Sequence, residues 1–298
     1  AGGLYSTTCE GFIPDNGRAF QGATSHCLGQ NFAKMFKIEF LGEDNTTKMV
    51  WQNSWGITTR TIGAMIMFHG DNKGLVLPPR VAPVQCVFVP IFFKDTKGLI
   101  DQCEILSKEL QAAGVRTHGD YRDNYNPGWK YNHWELKGVP LRLELGPKDV
   151  EAKQVRLVRR DNGETENVPW TNLVQRVIDL LVEIQHSMLE RAREKVSKLL
   201  VSCTTWEQFT KALEGKCIAM TTWCGRSVCE EQIKTRSLEE SKGVQEAQDD
   251  DHPETGEKLT HAAKSLCTPF NQPELPSDAK CFMCSQPAIN WTVFARSY

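Results

Sequence analysis

No part of this 298-residue chain supplies the ~20 uninterrupted apolar residues that a membrane-spanning helix needs. The longest candidate, residues 74–93, is cut by Pro78, Pro79, Arg80, Pro83 and Pro90. The sequence begins Ala1-Gly2-Gly3 and lacks an initial Met, a basic segment and the apolar centre of a secretory leader. A signal peptide is therefore not expected, and the chain is expected to begin inside a larger protein. No internal repeat is present, which sets aside solenoids and propellers. Neither charge is in excess: 35 Lys and Arg stand against 37 Asp and Glu, a net charge of −2. Any contact with nucleic acid must then come from local basic surface, because no overall field supplies the attraction. Eleven cysteines without secretory features favour reduced thiols, or a metal, over a disulfide framework.

What is present is an ordinary globular balance, 40% hydrophobic and 24% charged, in a chain long enough for two or three cores. Texture divides it into residues 1–78, 79–200 and 201–298. The first region mixes β-rich runs (Lys37-Ile38-Glu39-Phe40, Met49-Val50-Trp51) with glycine-rich polar stretches such as residues 17–26, and residues 58–67 turn into a small-residue apolar helix. In the second region, residues 84–89 read as a buried strand. Leu99, Ile100, Cys103, Leu106 and Leu110 recur at helical spacing before a stop at Gly114. Residues 141–145 alternate as a strand, and residues 154–160 form another before the turn signal Asp161-Asn162-Gly163. Leu173, Val174, Val177, Ile178, Leu181, Ile184 and Met188 mark one face of a long helix. Alternating strands and helices predict an α/β sandwich with a mixed sheet. The third region is expected to form a unit of its own. Thr204 or Thr205 caps a short helix there, with Glu207 or Gln208 closing a capping box. After Cys229 an acidic stretch with Glu239, Glu240, Glu246, Asp249, Asp250, Asp251, Glu254 and Glu257 reads as a solvated loop.

Three constellations could carry chemistry. Cys224 and Cys229 form a CxxxxC pair, and Cys281 and Cys284 a CxxC pair. Two close thiolate pairs suit tetrahedral zinc, and four thiolates would close its coordination shell, so the metal would be structural. The bland alternative is a set of buried thiols. Gln21, Thr24, Ser25 and His26, with Thr58, Thr59 and Arg60, offer the amide, hydroxyls and guanidinium of a nucleotide pocket. His26 could contact a small amine or ring, although a lone His is more often a satisfied structural residue. Residues 122–135 interleave Tyr125, Trp129, Tyr131 and Trp134 with basic and amide groups, as single-stranded RNA readers do, and Lys153, Arg156, Arg159 and Arg160 could hold phosphates nearby. An amphipathic helix burying its Trp and Tyr explains the same pattern.

At these residues a family resemblance emerges. Residues 22–32 and 54–63 resemble late catalytic-domain segments of prolyl-tRNA synthetases, the second being similar to motif 3 of class II synthetases. Residues 123–144 resemble the family's anticodon-binding domain. The four cysteines and the final Phe294-Ala295-Arg296-Ser297-Tyr298 resemble the zinc-containing C-terminal extension of its eukaryotic and archaeal branch. The resemblance implies the end of a class II antiparallel-sheet catalytic domain (1–78), a mixed-sheet α/β anticodon-binding domain (79–195) and a zinc-binding α+β domain (196–298). It implies a proline–tRNA ligase, using ATP with Mg²⁺ and structural Zn²⁺, acting on proline and tRNA for proline. Gln21, Thr24, Thr58 and Arg60 would contact ATP, with Arg60 also the catalytic motif 3 arginine. His26 and Gly56 would form the proline pocket, and Lys130, Glu135, Arg142 and Glu144 would lie near the anticodon bases. The Tyr298 carboxylate would reach back toward the active site. A homodimer made through a missing N-terminal part, a place in a multisynthetase assembly, possible fusion to a glutamyl-tRNA synthetase, and a cytoplasmic location without membrane contact are also implied.

The sequence departs from the family pattern in two ways. Motifs 1 and 2 are not in it, so the chain alone is expected not to form prolyl-adenylate. Some relatives carry CxC where this chain has Cys281 and Cys284. The competing readings are another class IIa synthetase, for threonine or histidine, and a non-catalytic RNA-binding module.

Overall fold

The computed structural model describes residues 2–92, 96–245 and 262–298. It falls into two compact units, Ala1–Ala64 together with Lys195–Tyr298, and Met65–Glu194.

The first unit opens with β1 (Tyr5–Ile13) and β2 (Arg18–Gly29), an antiparallel pair. The reversal between them needs glycine at position 17, where φ is +67° and a Cβ would stand 2.6 Å from the Lys216 Cβ. Asn16 supports the turn by accepting from the Arg18 backbone N–H at 3.1 Å. Then follow α1 (Asn31–Phe36), the hairpin of β3 (Glu39–Leu41) and β4 (Thr47–Met49), β5 (Gln52–Ile57), which pairs with β2, and α2 (Arg60–His69). Two sequence expectations shift here. Lys37, read as the start of a strand, adopts φ 53° and caps α1, so β3 begins only at Glu39. The glycine-rich polar stretch 17–26 is mostly the strand β2, held by backbone pairing on both edges rather than by apolar side chains.

The second unit comprises β6 (Cys86–Pro90), α3 (Thr96–Ala112), β7 (Thr117–Gly119), α4 (Pro127–Leu136), β8 (Leu141–Leu145), α5 (Pro147–Glu151), β9 (Gln154–Arg159), β10 (Thr165–Pro169) and α6 (Leu173–Ser197). Its sheet runs β10-β9-β8-β6-β7. β6 lies parallel to β7 and β8, whereas β8, β9 and β10 are antiparallel, so the sheet is mixed as the alternation predicts. Phe88, Leu141, Leu143 and Leu145 are fully buried against the apolar faces of α3 and α6. Gly114 (φ +86°) and Gly163 (φ +77°) sit in the left-handed region after α3 and in the β9–β10 turn, the two places where turn chemistry calls for them.

The remaining elements return to the first unit: β11 (Leu200–Cys203), α7 (Trp206–Glu214), β12 (Ile218–Trp223), α8 (Ser227–Gln245), β13 (Ala263–Cys267) and β14 (Asn290–Ser297). Thr205 caps α7 by accepting from the Gln208 N–H at 3.3 Å, and Gln208 accepts from the Thr204 N–H at 2.9 Å. β14 is antiparallel to β12 and β13 and parallel to β2, through Arg296↔Arg18 and Ser297↔Ala19. Regions distinct in sequence texture thereby share one seven-stranded sheet. The acidic stretch is not all loop: Glu239 and Glu240 belong to α8, while Glu246, Asp249, Asp250, Asp251, Glu254 and Glu257 lie outside the described residues. Among the described residues no helix is long and apolar enough to cross a membrane.

Candidate functional site

Strand alternation puts residues i and i+2 on one face, so Gln21 should turn away from Thr24 and His26. It does not. The β1–β2 register shifts so that Cys9 opposes Ala23 while Glu10 opposes Gln21, which leaves Gly22 as an unpaired bulge. Thr8 and Glu10 share a face of β1, and so therefore do their partners Thr24 and Gln21. His26, opposite Ser6, joins them. The side chains agree: Gln21 Nε2 donates to Glu10 Oε1 at 3.4 Å, and Ser6 Oγ lies 2.6 Å from His26 Nδ1. On the other edge Gly56 opposes Thr24, and a Cβ at Gly56 would meet nothing within 4 Å, so this face is open.

The bulge also anchors the next element. Thr61 Oγ1 donates to the Gly22 carbonyl at 2.9 Å, which fixes the first turn of α2 and brings Arg60, its first residue, toward the bulge. Arg60 and Thr58 are exposed. A cavity of about 490 Å³ is lined by Thr24 and Gly56 with Thr8, Trp55 and Ile57, while Gln21, His26, Thr58 and Arg60 are outside its lining. The amide of Gln21, the hydroxyl of Thr24 and the imidazole of His26 thus share one face beside the bulge, and Arg60 starts the helix tethered to it, residue types able to hold a polar ring edge and phosphate charge.

The second cluster is built on α4. Asn126 caps it by accepting from the Trp129 N–H at 2.8 Å, with Pro127 in the first turn. Spacing by four stacks Tyr125 on Trp129 (centroids 3.8 Å apart) and Trp129 on His133 (4.9 Å). The Arg122 guanidinium lies 5.0 Å from both the Tyr125 and Trp129 rings. The opposite face turns inward to Asp120. That carboxylate receives Arg122 Nε and Nη2 at 2.8 and 2.6 Å and Trp134 Nε1 at 2.8 Å. Burial alone would raise the Asp120 carboxyl, but these bonds hold it down at about 2. Lys130 corrects an expectation. It is 1% exposed, donating from Nζ to the Asp120 carbonyl at 3.1 Å, and burial lowers its pKa. Its ammonium fastens α4 from inside instead of facing outward.

The other three residues expected near a base do meet. Arg142 donates from Nε to Glu144 Oε1 at 2.9 Å and from Nη1 to Glu135 Oε1 at 3.0 Å, and stacks 4.1 Å from the Tyr131 ring. Burial, with Glu144 beside it, pushes the Tyr131 phenol up to about 12. Arg142→Ala would strand two carboxylates, one of them nearly buried. Urea unfolding should show a loss of roughly 2–3 kcal/mol, and Arg142→Lys should recover less than half of it because an ammonium lacks the fork that reaches both partners. An unchanged midpoint in Arg142→Ala would count against this network.

The cysteine quartet lies in the first unit. Cys224 follows β12, Cys229 is in the first turn of α8, and Cys281 and Cys284 precede β14. Their sulfurs all lie within 4.8 Å of one another, with Cys229–Cys281 at 3.7 Å and Cys224–Cys284 at 3.6 Å. Tetrahedral zinc with ~2.3 Å bonds needs sulfurs ~3.8 Å apart, so the quartet fits the ion. The CxxC pair is set by a tight turn in which the Ser285 N–H donates to the Cys281 carbonyl at 3.0 Å. With four protein sulfurs the shell is closed, which suits a structural ion and leaves no position for a substrate.

Sequence comparison bears on all three clusters. Residues 206–298 match the family model for the C-terminal domain of prolyl-tRNA synthetase, and residues 85–180 match the anticodon binding domain. The whole chain is 52% identical to the cytoplasmic proline–tRNA ligase of Arabidopsis thaliana and covers 53% of that protein. It is 41% identical to the proline–tRNA ligase of Encephalitozoon cuniculi, covering 58%, and 49% identical to the bifunctional glutamate/proline–tRNA ligase of Drosophila melanogaster, covering 17%. The chain spans about half the length of the Arabidopsis relative. The similarity runs unbroken from the β2 bulge to the cysteine quartet, so over its whole length the chain is similar to these proline–tRNA ligases.

Proposed function

We propose that the chain is the C-terminal part of a proline–tRNA ligase, which activates proline as prolyl-adenylate and passes the prolyl group to tRNA for proline. The observation that carries this reading is the Gly22 bulge, which turns Gln21 onto the face of Thr24 and His26 while Thr61 tethers the start of α2 to it. Gln21, Thr24 and Thr58 hold ATP by hydrogen bonds, and Arg60 lies against its adenine and γ-phosphate. His26 and Gly56 form the proline pocket. A proline carboxylate oxygen bonds to the α-phosphorus as the bond to the leaving pyrophosphate breaks. A hydroxyl of the terminal ribose then takes the prolyl carbonyl and releases AMP. Positioning and neutralised phosphate charge supply most of the acceleration, and Mg²⁺ accompanying ATP adds to the latter.

In the second unit, Glu135, Arg142 and Glu144 contact anticodon bases, Lys130 positions α4 from behind, and the half-exposed Tyr125 and Trp129 rings offer stacking surface. Cys224, Cys229, Cys281 and Cys284 hold a structural Zn²⁺. The functional segments are 1–78 (catalytic, class II), 79–195 (anticodon-binding) and 196–298 (zinc-binding). The working protein is a cytoplasmic homodimer, with a multisynthetase assembly as a further setting. ATP–pyrophosphate exchange by the protein containing this chain, measured across a panel of amino acids, tests the reading. Exchange should depend on proline and fall about 100-fold in Arg60→Ala. Exchange driven by threonine or histidine and not by proline would refute it.

A further inference from the structure

The sheet of the second unit has two unlike faces. On one, Leu141, Leu143, Val155, Leu157 and Val168 enter the core beside α3 and α6. Alternation sends Arg142, Glu144, Arg156 and Asn167 to the other. There α4 covers the β6 end, where Trp134 packs with Val87 and Val89, and the Arg142 guanidinium lies against the Tyr131 ring. Farther out, Arg156 and Asn167 are exposed. Glu144, Arg156 and Asn167 are direct partners across β8, β9 and β10, so a carboxylate, a guanidinium and an amide form one row at ~4.8 Å per strand.

The cations near this row are unequally satisfied. Of the three arginines within residues 156–160, Arg159 is forked onto Asp161 with both bonds at 3.0 Å, and Arg160 onto Asp71 at 2.7 and 2.6 Å. Arg156 pairs only with Glu144 Oε2 at 4.0 Å, outside hydrogen-bond reach, and its side chain is 52% exposed. So loose a pair is worth little, and the guanidinium can leave it at small cost. The Asn167 amide makes no hydrogen bond among the described residues. An acidic peptide would meet the Glu135 and Glu144 carboxylates beside Arg156 and be repelled. RNA instead offers phosphate oxygens to the guanidinium and base edges to the amide. We propose that this open face is an RNA-binding surface. Arg156 takes a backbone phosphate, and the Asn167 amide takes a base edge next to the nucleotide held by Arg142 and its two carboxylates. The proposal rests on the anticodon-reading role given above to the second unit, whose residues 85–180 match the anticodon binding domain.

Binding of tRNA for proline to the protein containing this chain, measured over a salt series, tests it. Arg156→Met should weaken binding about fivefold and lower the slope of log K against log salt by about 0.7, whereas Arg156→Lys keeps the charge and should keep the slope. Lys108→Met removes the same charge from an exposed position of α3, on the core side of the sheet, and should leave the slope as in the parent. Asn167→Ala should weaken binding about tenfold at an unchanged slope. Both Arg156 and Asn167 are exposed, so neither variant should disturb folding. Slope and affinity in Arg156→Met equal to the parent's, or an equal loss in Lys108→Met, overturn the phosphate contact. Parent-like affinity in Asn167→Ala overturns the base contact. A tRNA with an altered anticodon keeps this proposal apart from the reading beneath it. If the parent binds that tRNA as tightly as the matched one, anticodon reading fails, and the Arg156→Met slope on either RNA still decides the phosphate contact. A parent that binds neither RNA overturns both.

Discussion

Cys281→Ser should empty the quartet of zinc and cost the first unit its cooperative unfolding. The four sulfurs join the end of β12 to the segment entering β14, and β14 is the strand on which β2, β12 and β13 all pair. Cys224, Cys229 and Cys281 also belong to the core with Phe209, Phe282 and Phe294, so an empty site would leave a polar hole in that core. Structural zinc contributes ~10–16 kcal/mol to small metal-dependent folds, against a usual domain stability of ~5–15 kcal/mol. Even a third of that amount, roughly 4 kcal/mol, would remove most of the stability of a unit at the low end of that range. Metal analysis should give one zinc per parent chain and less than half an equivalent in the variant, with a chelator reproducing the effect. The transition of Met65–Glu194 should persist, since its core contains none of these cysteines. Full zinc content and an unchanged melting curve in Cys281→Ser would reduce the quartet to packed thiols.

Asp120→Ala should be the most damaging single change in the second unit. It would leave the Trp134 N–H facing a void, free Arg122 from beneath the aromatic stack and take the opposing charge from the buried Lys130 ammonium, which keeps its bond to the carbonyl at position 120. Breaking a buried charged network this way costs about 4 kcal/mol. The pH dependence has a definite sign. The folded carboxyl titrates at about 2 and the unfolded one near ~3.9, so the unfolded chain binds the proton first as pH falls. The stabilisation, about 2 kcal/mol, is fully present above pH ~4 and is lost as pH falls through 2. Asp71, held at about 2 by Arg160, titrates in the same direction, so the diagnostic quantity is the difference between parent and Asp120→Asn. That difference should shrink between pH 5 and pH 2. A constant difference across that range would remove Asp120 as the titrating group.

Much of this was legible in the sequence where a periodic pattern and a stop signal coincide. The apolar recurrences from Leu99 to Leu110 and from Leu173 to Met188, closed by Gly114 and preceded by the Gly163 turn, became α3, α6 and the β9–β10 hairpin. The cysteine spacing likewise foretold four sulfurs in reach of one another, because two short loops constrain each pair locally. What stayed hidden was long-range. The face of Gln21 depends on a one-residue bulge, and nothing in residues 17–26 says that Gly22, among several glycines, is the one skipped. Lys130 reads as a surface cation until its carbonyl partner at Asp120, ten residues away, is known. An Asp two residues before Arg122 was the available clue to that network. The sharing of one sheet by the two ends rests on a parallel pairing of only two residues, too short to leave a pattern.

That short pairing bears on how the protein is made. Arg18 and Ser297 touch although 279 positions separate them, so β2 emerges from the ribosome long before its neighbour β14 exists. At about 5–20 residues per second the wait is roughly 15–60 s, during which the intervening unit, whose contacts are its own, has time to fold. Throughout that interval an unpaired strand edge is offered to any passing nascent chain, which makes the opening hairpin the segment most in need of a chaperone's cover.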